Sequence, residues 1–131
     1  FDKDKISAIK GVWVPSVTDK IPELLGLHDV NQQPAYSHIV SPSNSFGGAH
    51  MIEVMRGCPR VCSFCLARCI YAPPRPVKAS VIENWLNEHP NCKDLGLVAP
   101  SLFDHPEVEQ IFKMLQERNI KVRNSSVKWE K

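Results

Sequence analysis

The stretch MIEVMRGCPRVCSFC, residues 51–65, places a mostly apolar run directly before three closely spaced cysteines. We expect residues 51–56 to form a strand that ends at Gly57, because glycine commonly bounds a run of strand-forming residues. The cysteines then lie in a loop at the carboxyl end of that strand. Parallel α/β folds bind their ligands at this end of the strands, so the stretch predicts both the fold class and the position of a site.

Two helices and two further strands are predicted after this loop. The segments 95–99 and 120–124 have strand character, and an amphipathic segment precedes each of them. A β-α-β-α-β order with short connections favours parallel strands joined by right-handed crossovers. The sequence therefore predicts an α/β fold with a parallel sheet.

The starts of both helices resemble capping boxes. Ser80 and Glu83 have the spacing of one box, and Asp104 and Glu107 have the spacing of a second. The second helix carries apolar residues at positions i, i+3, i+4 and i+7, which is a core-facing stripe. Its members are Val108, Ile111, Phe112 and Leu115.

The chain divides near residue 50. Residues 1–50 show no sustained apolar period, and we interpret them as an irregular extension or linker that precedes the core. Residues 51–131 carry the predicted strands and helices of the core.

Composition excludes several classes of protein. The chain has 16 basic and 14 acidic residues, and a net charge of +2 does not indicate nucleic-acid binding. No apolar run approaches the roughly 18 residues of a membrane span. Five cysteines without a secretory signal argue against a disulfide framework and favour a metal or redox site in a cytoplasmic protein.

Cys58, Cys62 and Cys65 follow a C-x3-C-x2-C pattern. Thiolates are soft ligands that suit iron–sulfur clusters or zinc. Three of them can hold three corners of a cubane cluster and leave the fourth iron open for another ligand. A structural zinc site would need a fourth protein ligand, for which Cys69 is the candidate. We favour a non-ligand role for Cys69.

The same pattern resembles the cluster loop of radical S-adenosylmethionine (SAM) enzymes, C-x3-C-x-aromatic-C, with Phe64 in the aromatic position. The stretches 53–58, 75–80 and 11–16 are similar to a group of these enzymes that often carries a cobalamin-binding domain. The resemblance implies that residues 51–131 are the N-terminal, incomplete part of a (βα) partial barrel and that residues 1–50 are its inbound segment, because the cores of these enzymes have more strand–helix units than this chain. It also allows for cobalamin as a cofactor of the full-length protein.

The resemblance also implies a chemistry. Cys58, Cys62 and Cys65 would ligate a [4Fe–4S] cluster, and SAM would bind the open iron. An electron from flavodoxin or ferredoxin would then cleave SAM to a 5′-deoxyadenosyl radical. Phe64 would lie near the adenine. Ser101 stands where the family often has a Gly-Gly-Glu motif, and Ser125 follows the third strand, so both are candidate SAM contacts.

Three alternatives remain open at this point. Within the superfamily, the reaction could be methylthiotransferase-like or a cobalamin-dependent methyl transfer. Outside it, the chain could be a non-catalytic zinc-binding module. We expect structural roles for other polar residues. Alternation along the strand places Glu53 opposite to Arg56, and each is expected to take part in a structural ion pair. His105 is expected to lie in a helix cap.

Overall fold

A computed structural model describes residues 2–23 and 29–124 of the chain. It contains four α-helices, five strands and a short 3-10 helix at Leu102–Asp104. In chain order the other elements are α1 (Lys3–Ser7), β1 (His50–Glu53), β2 (Met55–Arg56), α2 (Ala67–Ile70), β3 (Arg75–Pro76), α3 (Ala79–Glu88), β4 (Asp94–Val98), α4 (Val108–Glu117) and β5 (Lys121–Asn124).

The main sheet has three parallel strands in the order β1-β4-β5, which confirms the predicted parallel α/β arrangement. Helix α3 precedes β4 in the chain, and α4 connects β4 to β5. Ile52 lies beside Leu97 in the register of β1 with β4, and both side chains are fully buried. Because neighbouring residues of a parallel pair share a face, this apolar face is the one that the helices cover.

The core lies between that face and the two long helices. The predicted stripe on α4 is confirmed, since Ile111 and Leu115 are fully buried and Val108 and Phe112 pack partly buried against them. Helix α3 contributes Ile82, Trp85 and Leu86 to the same cluster. Burial of apolar surface is the main favourable contribution to folding, so this cluster stabilises the sheet that supports the site.

The predicted strand 51–56 is divided at Val54. The Val54 N–H donates to the Val98 carbonyl at 2.9 Å, and the Val77 N–H donates to the Val54 carbonyl at 2.8 Å. Residues before Val54 therefore belong to the parallel sheet, whereas β2 pairs with β3 in a separate antiparallel ladder. The segment is extended, as predicted. It forms two short strands in two different sheets, however, and not one continuous strand.

Both predicted capping boxes are wrong. Helix α3 begins at Ala79 rather than after Ser80, and its first amide N–H donates to the carboxylate of Glu107 at 2.6 Å. The preceding N–H, of Lys78, donates to the side-chain oxygen of Asn31 at 2.7 Å. Helix α4 begins at Val108, without a side-chain cap. At the start of α3, side chains distant in sequence accept from these two donors, which a local capping pattern cannot anticipate.

Residues 29–49 pack directly on the sheet. Val30 and Ala49 are buried, and the segment 35–37 hydrogen-bonds along β1 through the Ser37 N–H to the Met51 carbonyl at 2.8 Å. The ring of Phe46 lies against Gly96, where a Cβ atom would stand only 2.7 Å from it. The segment thus covers the edge of β1 and part of the sheet face that the helices leave open.

Within the described ranges, every helix is too short or too polar to cross a membrane.

Candidate metal and cofactor site

The cysteine loop begins where β2 ends and leads into α2. Gly57 has a φ of +81°, a left-handed conformation that glycine adopts without the strain of a side chain. The Cys65 N–H donates to the Cys62 carbonyl at 3.2 Å, so a tight turn joins the second and third cysteines. Cys58 and Cys65 are half-buried and Cys62 is exposed. The thiols are therefore accessible from the open side of the loop.

One cavity of about 300 Å³ brings together five residues that the sequence singled out. They are Cys58, Cys62, Phe64, Cys65 and Ser101, with Leu102 and Phe103 forming further apolar wall. Ser101 follows β4 and the cysteines follow β2, so the cavity lies beyond the carboxyl end of the sheet. This is the edge at which the alternating pattern predicted a site.

The three cysteines line the cavity without forming a compact metal-binding group. In residues 2–23 and 29–124, no three His, Cys, Asp or Glu side chains lie close enough together to hold a metal ion. The donor set itself fits an iron–sulfur cluster, because three soft sulfur ligands lie on one short, accessible loop. Cys69, in α2, is exposed and does not line the cavity.

The predicted SAM contacts have different surroundings. The Phe64 side chain is 90% exposed at the cavity. The Ser101 hydroxyl donates to the Asp104 carboxylate at 2.6 Å, so it already has a protein acceptor. Ser125 lies outside the described residues, and Asn124 before it is the last residue of β5.

Arg60 connects the cysteine loop to the segment after β4. Its guanidinium donates to both oxygens of the Asp104 carboxylate, with Nε 2.6 Å from Oδ2 and Nη2 2.5 Å from Oδ1. The Arg60 backbone N–H also donates to the Cys58 sulfur at 3.4 Å. The sequence pattern assigned Asp104 to a helix cap, so this pair was not predicted. An arginine between two candidate ligands was the available signal.

Glu53 and Arg56 form an ion pair with each other, which confirms a structural ion pair for both residues, although the alternation of a single strand placed them on opposite faces. Arg56 Nε donates to the Glu53 carboxylate at 2.8 Å, and Nη2 makes a second contact with the same group. The hydrogen bond with Glu53 raises the pKa of Arg56 above its ordinary value. The pair is formed across the division at Val54, which turns β2 relative to β1. Both side chains border a second, largely apolar cavity beside β1.

His105 has the structural role that the sequence predicted. Its ring is 3% exposed, its Nδ1 accepts from the Glu107 N–H at 3.0 Å, and its Nε2 lies 3.0 Å from the Val77 carbonyl. Since Nδ1 is an acceptor, the proton lies on Nε2 and that nitrogen donates. Burial lowers the pKa of His105, which favours this neutral form. The residue is not a candidate ligand.

Cys92 is the one cysteine far from the loop. It is 3% exposed in the core, and burial raises the pKa of its thiol. A buried thiol held in its neutral form behaves as a small apolar side chain. It therefore serves as an internal control for experiments on the other four.

The chain is similar to an uncharacterized protein of Methanocaldococcus jannaschii, with 30% identity over 102 residues. The alignment covers 76% of this chain and 23% of that protein, so the chain spans about a quarter of the length of the curated relative that it matches. No protein-family model matches the chain. No solved structure matches it significantly.

Proposed function

We propose that this chain carries the cluster-binding part of a radical SAM enzyme. Cys58, Cys62 and Cys65 would each provide one thiolate to a [4Fe–4S] cluster, and SAM would occupy the remaining iron. The observation that supports this most strongly is that the three thiols border one cavity at the carboxyl edge of a parallel sheet. The predicted adenine neighbour, Phe64, borders the same cavity.

The cavity offers suitable surfaces for the nucleoside part of SAM. Phe64 presents an exposed ring, and aromatic rings pack well against flat heterocycles. Phe103, 54% exposed, borders the same cavity from the segment after β4, and its ring stacks on that of Phe112 with centroids 6.0 Å apart.

When bound, the cluster would supply the electron that splits SAM into methionine and a 5′-deoxyadenosyl radical. The residues of this chain would bind and orient the components. The cysteines would hold the metal, Phe64 would position the adenine, and Leu102 would close the apolar floor of the cavity. In this proposal no protein side chain transfers a proton or forms a covalent bond to substrate.

The fold of the full protein, its electron donor and its location are part of the same proposal. The parallel sheet would be the first part of a (βα) partial barrel, with later strands adding beside β5, which lies at one end of the strand order. A flavodoxin or ferredoxin would supply the electron. Thiolate ligands persist in reducing compartments, which supports a cytoplasmic location.

Metal content tests the proposal against the zinc-binding alternative. The 131-residue chain, reduced and reconstituted with iron and sulfide without oxygen, is expected to hold about four irons and to show the broad visible absorption of a thiolate-ligated cluster. Replacing Cys92 with Ala is the matched control and should leave the iron content unchanged. A colourless chain that binds one zinc tightly and takes up no iron would refute the proposal.

A further inference from the structure

We propose that Arg60 is a positioning residue, fixed by Asp104, that holds the cysteine loop against the end of β4 so that its thiols face the cavity. The inference rests on the proposed function, because it concerns how the three candidate ligands are held. It assigns no ligand or catalytic role to either residue.

The contact between Arg60 and Asp104 joins the cysteine loop to the segment after β4, and both segments line the cavity. Arg60 lies between Cys58 and Cys62, and Asp104 lies 44 positions later in the chain. The two parallel hydrogen bonds between a guanidinium and a carboxylate fix orientation as well as distance. The Asp104 side chain is 18% exposed and the Arg60 side chain 40% exposed, so the carboxylate end of the pair is the more shielded from solvent.

Asp104 is itself held in place. The Ser101 hydroxyl donates to Oδ2 at 2.6 Å, and this is the same oxygen that receives Arg60 Nε. Leu102, between the two residues, is fully buried in the core. The carboxylate is therefore a fixed acceptor attached to the core, and it determines where the guanidinium can lie.

The loop has little apolar anchoring of its own. Val61, Phe64 and Leu66 are 73%, 90% and 69% exposed, so burial does not fix their positions. The Arg60 backbone N–H donates to the Cys58 sulfur, which couples the position of Arg60 directly to that of a candidate ligand. A displacement of Arg60 would therefore move the thiol.

Cobalt binding measures the arrangement of the thiols without any catalytic activity. Co²⁺ is titrated into the reduced, metal-free chain, and thiolate-to-cobalt charge-transfer absorption reports coordination by sulfur. Arg60→Gln and Asp104→Asn should each weaken cobalt binding about 10- to 100-fold, as loss of an outer-shell partner does at other metal sites. The double variant should be no weaker than either single one, because both remove the same contact. Arg60→Lys should recover part of the affinity.

Arg123 provides the matched control. Its guanidinium also donates to both oxygens of an aspartate, Asp94, but it joins β5 to β4 and is not part of the cavity wall. Arg123→Gln should leave cobalt affinity and the charge-transfer band unchanged. If Arg60→Gln and Arg123→Gln bind cobalt as tightly as the unaltered chain, Arg60 has no positioning role.

A second measurement needs no metal. Chymotrypsin cleavage after Phe64 reports local opening of the loop, and Arg60→Gln should accelerate it about ten-fold if the contact holds the loop in place. An unaltered chain that shows no thiolate–cobalt band would refute the proposed function. The cleavage rate would then still decide the anchoring: equal rates in the two chains would overturn it, and a faster rate in Arg60→Gln would uphold it.

Discussion

A side chain at Gly57 would collide with the carbonyl oxygen of Tyr71, because a Cβ atom there would lie 2.4 Å from that oxygen. The backbone of Pro74 lies close on the same side, with its Cα at 3.1 Å. The start of the cysteine loop is thus packed against the backbone of the segment that leads into β3. Backbone atoms cannot rotate away as a flexible side chain can, so the close approach requires glycine.

Gly57→Ala should destabilise the chain by about 1–3 kcal/mol and shift the loop, because it adds steric overlap to an unfavourable positive φ. Gly48→Ala is the matched control, since Gly48 also has a positive φ (+86°) but its added Cβ would meet no atom nearer than 3.5 Å. Urea unfolding of both variants measures the difference. Equal losses of unfolding free energy would show that the contact with Tyr71 contributes nothing.

His105 should make stability depend on pH. Its native-state pKa is lowered by burial, so below the ordinary value of about 6.5 the unfolded chain binds more protons than the folded chain. The free energy of unfolding should therefore fall as the pH decreases from about 6.5 towards the lowered pKa. His105→Gln should flatten this part of the profile while costing about 1–3 kcal/mol at neutral pH. An unchanged pH profile in the variant would assign the dependence to other groups.

Asn31 should stabilise the start of α3 from the segment before β1. Its side-chain oxygen accepts the Lys78 N–H, and Asn31→Ala should cost about 1 kcal/mol of unfolding free energy because that donor loses its protein acceptor. Gln33→Ala, at a neighbouring exposed position, should cost little. A single cooperative transition in both variants, with a lower midpoint only for Asn31→Ala, would show that residues 29–49 unfold together with the core.

The periodic segments were the predictable part of the fold. The stripe on α4 and the apolar strand β4 follow directly from side-chain burial, which imposes a period of 3.6 or a continuous apolar run. The helix starts were less predictable. Ser80 and Glu83 satisfy a local pattern, but the Glu107 carboxylate and the Asn31 side chain reach the same end of α3 from elsewhere in the chain.

The residues that line the candidate site could be selected from the sequence, but the contact that holds the cysteine loop could not. The spacing of the cysteines is local information, and a strand–loop order placed them at a sheet edge together with Ser101. The pairing of Arg60 with Asp104 depends on how closely the loop approaches the segment after β4, which is a tertiary property. Asp104 had a plausible local role as a helix cap, and the competing tertiary contact prevailed.

The most direct test of the account is the iron and sulfide content of single cysteine replacements after reconstitution without oxygen. The account predicts that Cys58→Ser, Cys62→Ser and Cys65→Ser each lose most of the bound iron, whereas Cys69→Ser and Cys92→Ser retain about four irons per chain. Iron loss in Cys69→Ser equal to that in Cys62→Ser would contradict a three-thiolate site. Retention of full iron content by any of the first three variants would contradict it equally.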